Sequence, residues 1–354
     1  MRRGLIAWSR AELPPAVFAA RTRRLQAGLA RRELAALLVY SNNTRAAGAS
    51  WACGFVPYWS EGVMLLPREG EPVLVVALTK RVATWIAKTS NVADVISTPR
   101  VGAEIARRVT DAGGGTIGVA DLDGFPAGIA ADLAAAGATL ADATELFAAA
   151  RAKADPAELA LAAHAAAIAH DALASVHPEH KEAPQAIATV EGRARARGAE
   201  ECYVAVAPDL ARSRHFARLE GAQSLGASYA IRATVAYKGS WVRLARTFFR
   251  DPTRAPIARA AAERFASAVA GLPASDAFGP MSWLVEGVRV AQPLEPLMGS
   301  RMAEPRALAP GALVSVQASF VEGGAPVALA APALVGAAGE AASLLVPPVF
   351  TEGD

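Results

Sequence analysis

Between residues 228 and 249 the chain alternates with a period of two. Ile231, Ala233 and Val235 fall on one side of the first run and Arg232, Thr234 and Ala236 on the other. Along the second run Trp241, Arg243 and Ala245 alternate with Val242, Leu244 and Arg246, and Lys238-Gly239 between the runs has the chemistry of a two-residue turn. The segment therefore predicts a β-hairpin. Upstream, Phe18, Leu25 and Leu29 recur at helical spacing with arginines on the other faces, which predicts an amphipathic helix over 18–32. A short apolar run at 35–40 predicts a buried strand, followed by the polar loop Ser41-Asn42-Asn43 and an aromatic-rich segment from Trp51 to Trp59. Strands are expected at 62–66 and 72–78 around a Pro-Arg-Glu-Gly turn, and again at 117–120. Strands alternating with helical patterns make residues 1–148 an expected α/β domain.

The second domain, 149–354, opens on a helix start: Asp155 is placed as an N-cap and Pro156 at the first helical position, before an Ala/Leu-rich run through Leu173. Further helices are predicted at 183–198, closing on Gly198, and at 256–270. Strands are predicted at 202–207, leading up to Gln317, and at 327–335 before a turn at 337–339. Helices mixed with an antiparallel hairpin predict an α+β arrangement.

A chain of 354 residues, 53% hydrophobic, has enough length and apolar content for two cores. The formal net charge of +3 is small, and no basic run is interleaved with aromatics, so no nucleic-acid partner is expected. Cys53 and Cys202 stand alone and apart, which predicts neither a disulfide framework nor a thiolate metal site and points to the cytoplasm. The N-terminus has no apolar leader core and no uninterrupted apolar run of about 18 residues occurs, so no membrane contact is expected. His177 and His180 lie beyond the long helix without carboxylate or cysteine company, which favours solvated histidines over a zinc site.

The hairpin resembles the metal-site hairpin of the creatinase, aminopeptidase P and methionine aminopeptidase family, whose pattern is Asp-x-Gly-x4-Gly-Tyr-x2-Asp-x-x-Arg-Thr-Phe. Gly239 and Arg246-Thr247-Phe248 match in register, while both aspartates fall on arginines, Arg232 and Arg243, and a glycine falls on Thr234. The Arg151-x-Lys153-x4-Glu158 helix start resembles the family's domain junction, and Ala207-Pro208-Asp209 resembles the loop that leads to its histidine, here His215. The resemblance implies a creatinase-type α/β N-terminal domain and a C-terminal pita-bread domain, a curved antiparallel sheet flanked by helices. It places the family's two metal-binding glutamates at Gln317 and Ala330, and no histidine follows His215. An arginine offers only donors and a permanent positive charge, so neither a metal nor any other cofactor is expected.

Creatinase itself works without metal, using a histidine as general acid and base, and its dimer partner's N-terminal domain covers the site. The resemblance therefore implies a homodimer through the N-terminal domain, with Arg45, Trp51, Tyr58 and Trp59 as candidate cover residues, although an aromatic cluster such as Trp51 to Trp59 is more often core or dimer contact. If Arg232, Arg243 and Arg246 share a pocket with Gln317, they suit a small carboxylate or phosphate; alternatively Glu286, Glu295 and Glu322 neutralise them as ordinary ion pairs. Two functions stay open. One is a metal-independent hydrolase or lyase acting on a C–N bond of a small anionic substrate, with His215 moving the proton. The other is a pseudoenzyme that binds without turnover. An Xaa-Pro peptidase is a third, weaker reading, and creatine is a poor fit because the carboxylates that grip its guanidino group are absent.

Overall fold

The computed structural model of the chain describes residues 9–57, 59–177, 179–219, 221–274, 276–287, 308–337 and 340–347; Tyr58, Glu295 and the turn at 338–339 lie outside these. The chain forms two compact units that divide between Ala152 and Lys153.

The first unit contains α1 (Pro15–Arg31), β1 (Ala36–Asn42), α2 (Ala47–Cys53), β2 (Glu61–Pro67), β3 (Val73–Val76), α3 (Ala83–Thr89), β4 (Asp94–Ser97), α4 (Val101–Asp111), β5 (Thr116–Ala120), α5 (Ala127–Ala135), β6 (Thr139–Asp142) and α6 (Thr144–Arg151). Its strands form one mixed sheet in the order β4-β3-β2-β1-β5-β6, parallel where β1 meets β5 and antiparallel where it meets β2. Leu37 and Val39 of β1 pack with α1, α2 and α6, whereas Leu38 packs with α4 and α5. Period-two burial on both faces makes this strand apolar throughout. The first helix starts at Pro15, earlier than the apolar spacing predicts, because proline needs no hydrogen-bond partner at a first-turn position.

The aromatic segment divides between core and surface. Trp51 lies inside the unit on α2, a helix the sequence did not reveal, and Phe55 is buried beside it. Only Trp59 of the described aromatics here is exposed, at 51%.

The second unit contains α7 (Pro156–Ala174), α8 (Ala183–Ala196), β7 (Glu201–Ala207), β8 (Ser228–Tyr237), β9 (Ser240–Phe249), α9 (Ala255–Ala270), β10 (Ser282–Gly287), β11 (Leu313–Glu322), β12 (Ala325–Leu334) and β13 (Ser343–Leu344). Asp155 caps α7 as its sequence implies, accepting the backbone N–H of Glu158 at 2.9 Å. The strands form an antiparallel sheet in the order β10-β11-β12-β9-β8-β7, with β13 paired to β12. Lys238 and Gly239 both take positive φ, 46° and 76°, the geometry of a type I′ turn that matches the twist of paired strands.

One sheet face is closed by helices. Val204, Val206, Ile231, Ala233, Val242 and Leu244 pack against the alanine-rich faces of α7 and α8, while Val316, Ala318, Leu329 and Ala331 of the same face pack against α9. Alanines at 162, 165, 166, 169 and 172 let α7 lie close to the strands. The opposite face carries Arg232, Arg243, Gln317 and Ala330, because each stands an odd number of residues from a helix-packed neighbour on its own strand.

Candidate functional site

Pairing across the sheet aligns Gln317 with Ala330, Ala330 with Ala245, and Ala245 with Arg232. The Arg232 side chain runs over this alanine floor and donates from Nη1 to Gln317 Oε1 at 3.0 Å. In the next row Glu286 faces Ser315, Ser315 faces Pro332, and Thr234 faces Arg243. There Arg243 reaches Glu286 in a hydrogen-bonded ion pair with both side chains almost fully buried, at 2% and 3% exposure. Three of the arginine and glutamine positions singled out in the sequence thus share one face, and Glu286 is the carboxylate that answers Arg243. Glu322 does not take part, since it pairs with Arg264 of α9 at 3.1 Å.

Arg246 is the exception. It lies on the helix-packed face with Leu244 and Phe248, its guanidinium 4.5 Å from the Phe248 ring centroid, so it does not join Arg232 and Arg243. Its neighbour there is His170 of α7, whose pKa is lowered first by burial and then by the Arg246 charge. The alternation that put Arg243 on one side of β9 already separated the two arginines, as positions three apart on a strand face opposite ways.

Arg232 is 9% exposed, and burial followed by the charge of Arg243 pushes its pKa down to about 10. The group is thus more acidic folded than unfolded, so its positive form opposes folding at neutral pH, and that cost falls away as pH rises through about 10. Arg232→Met is expected to raise the stability of the chain at pH 7 by about 1 to 3 kcal/mol, read from urea midpoints. A loss of stability would mean that the contacts of Arg232 outweigh the burial of its charge.

His215 sits in the loop between β7 and β8 with its side chain exposed, and its backbone N–H donates to Ser213 Oγ at 3.1 Å. The next residue takes the inward place. Phe216 is buried, and the Arg232 guanidinium stands 5.0 Å from its ring centroid, a cation–π distance. With Leu210 it packs on Ala205, Ala207, Ala230, Ala245, Ala328 and Ala330. Phe216 escaped the sequence reading, although a lone aromatic amid Arg212, Arg214, His215 and Arg218 is the signal of an anchored loop. Arg45 and Trp59 belong to the first unit, where the Arg45 guanidinium is held by Asp121. Among the described residues no group of three or more histidine, cysteine, aspartate and glutamate side chains is placed to hold a metal ion. No described helix is long and apolar enough to cross a membrane.

Residues 21–153 match the Creatinase/Prolidase N-terminal domain family. A comparison with curated protein sequences gives no match. Among solved structures the chain is similar to dipeptidase PepE from Mycobacterium ulcerans, with 19% identity, 96% of this chain and 98% of that one covered and a TM-score of 0.66. It is also similar to the X-Pro aminopeptidase of Thermotoga maritima, with 14% identity, coverage of 93% and 99% and a TM-score of 0.70. The Xaa-Pro dipeptidase of Bacillus anthracis gives 16% identity, coverage of 94% and 99% and a TM-score of 0.70. The chain has the fold of these dipeptidases and aminopeptidases, with a Creatinase/Prolidase N-terminal domain over residues 21–153.

Proposed function

We propose that this chain is a metal-independent relative of these hydrolases whose sheet face opposite the helices takes a small anion where the peptidases would hold metal ions. The observation that carries the reading is the composition of that face: Arg232, Arg243 and Gln317 stand together there, with Arg243 bound to Glu286. Guanidinium and amide N–H groups are donors and suit carboxylate or phosphate oxygens, whereas a hard cation requires acceptors.

Turnover is a second reading, favoured by one feature. The loop that lays Phe216 on Arg232 also carries His215, a residue type suited to proton transfer near neutral pH. In that reading His215 serves as general acid and base on a C–N bond of the bound anion. His215→Ala would then leave anion affinity unchanged and abolish turnover, since a proton carrier acts mainly in the transition state. Equal behaviour of the variant and the parent would leave the protein as a binding module.

The purified protein is expected to contain no stoichiometric transition metal and to leave Xaa-Pro dipeptides uncleaved when manganese, cobalt or zinc is added. Elemental analysis and a peptidase assay check this. One or two metal ions per chain, whose removal abolishes activity, would overturn the proposal.

A further inference from the structure

We infer that Phe216 is a removable plug over a small-carboxylate site whose donors are Arg232, Gln317 and Ser315. The inference rests on the anion-binding reading above and adds the class of ligand, the residues that select it and the element that controls entry.

The floor of the site is alanine. Ala205, Ala230, Ala245, Ala328 and Ala330 end at Cβ, so the bulk that covers them comes from Leu210 and Phe216 of the loop at 208–219. The donors then define the guest. Gln317 gives its carbonyl oxygen to Arg232, which leaves the two N–H donors of the same amide for another acceptor. Ser315, two residues away on the same face of β11, is 4% exposed, and its Oγ has no hydrogen-bond partner among the described residues. A buried hydroxyl in that state costs free energy that a ligand oxygen or a water would recover. A guanidinium, an amide N–H pair and a hydroxyl together complement a carboxylate, whose two oxygens accept several hydrogen bonds.

Phe216 occupies the position that such a carboxylate needs, because its ring lies against the Arg232 guanidinium. The loop is attached to the sheet mainly at its two ends. Leu210 N–H donates to Ser228 O at 3.0 Å, and Ala217 exchanges a pair of backbone hydrogen bonds with Val206 at 2.9 and 3.0 Å. Residues 211–215 between these anchors are exposed, and the backbone bonds that Arg212 and Ser213 make go back to Asp209 within the loop. The plug is therefore held by one ring, one leucine and one bridge, and moving it leaves the strand ladder intact. A ligand that binds only the open form has its affinity reduced by the fraction of chains that are open.

Benzoate is the probe, since its carboxylate takes the place against the guanidinium that the phenylalanine ring vacates and its own ring covers the alanine floor. By calorimetry on the full chain, Phe216→Ala is expected to bind benzoate about tenfold more tightly than the parent protein, the closed fraction no longer being subtracted. Adding Arg232→Met should remove that binding, and adding Ser315→Ala or Gln317→Leu should weaken it about ten- to a hundredfold, the scale of one hydrogen bond to a charged group. Equal benzoate affinity in the parent and in Phe216→Ala would refute the plug and leave the anion reading standing. No binding to either protein at millimolar concentration would remove both. Toluene binding to Phe216→Ala as tightly as benzoate would show a plain apolar cavity and overturn the carboxylate assignment. If Phe216→Ala does not fold, hydrogen exchange of the parent decides: saturating benzoate should speed exchange in residues 211–217, and unchanged exchange there would sink the inference.

Discussion

Arg243→Ala and Glu286→Ala are each expected to destabilise the protein by about 3 to 5 kcal/mol, while Arg243→Met combined with Glu286→Leu should recover most of the loss. Both side chains are almost entirely removed from water, and each is the other's charge partner across β12 and β11. Removing Arg243 leaves the Glu286 carboxylate buried without its guanidinium, and removing Glu286 takes from the buried Arg243 a charge partner; either costs far more than the net worth of the pair. Replacing both with apolar groups of similar volume removes two desolvation penalties together with one attraction, and such exchanges are often neutral or favourable. Urea unfolding of the parent, the two single variants and the double variant closes the cycle. Single losses below about 1 kcal/mol, the range of exposed pairs, would show that water reaches this pair in solution. The outcome also bears on the anion proposal. A tightly locked Arg243 would be a structural group on this face, whereas a loose one would restore the two-arginine clamp.

Trp51→Ala should cost about 3 to 5 kcal/mol in the N-terminal unit, against no more than about 0.5 kcal/mol for Trp59→Ala. Trp51 packs edge-on against Phe147 with ring centroids 5.4 Å apart, and the guanidinium groups of Arg21 and Arg24 stand 5.1 and 5.4 Å from its ring. Arg21 Nη1 also donates to the Trp51 carbonyl at 2.7 Å, so the indole, the helix end and α1 are joined in one cluster. Truncation removes a large apolar surface and takes the ring from the buried Arg21 and the half-buried Arg24. Trp51→Phe keeps an aromatic face and should lose only part of this. Calorimetry of the full chain reads the difference as a shift of the first unit's transition, about 2 to 4 °C per kcal/mol for a unit of this size. A large loss from Trp59→Ala would instead make its exposed ring an interface, the role the sequence suggested for the whole aromatic segment.

Local rules made much of the fold readable. Alternation and Lys238-Gly239 defined the hairpin because a type I′ turn needs residues that tolerate positive φ, and Asp155-Pro156 marked the start of α7 because those residue types satisfy or do without helix-end donors. The same alternation told which side of a strand each arginine takes. Which remote side chain meets each arginine was another matter. Arg243 and Glu286 are brought together by the register of β9, β12, β11 and β10, and Arg232 and Gln317 by the same stacking of rows. Register between strands distant in sequence is decided by the packing of the whole helix-covered face, which no local window contains.

The placement of the loop residues followed the same division. The sequence by itself determined that arginines alternate with apolar residues along the hairpin, and that an arginine brings only donors and a positive charge to whichever face it takes. Only the tertiary structure decided that Phe216 rather than His215 turns inward on Arg232, that Trp51 is core and Trp59 surface, and that Glu286 rather than Glu322 answers Arg243. Residue type determines what a group can bond with. Which partner it meets depends on distance and burial, and these exist only once the sheet rows and the loop anchors are assembled.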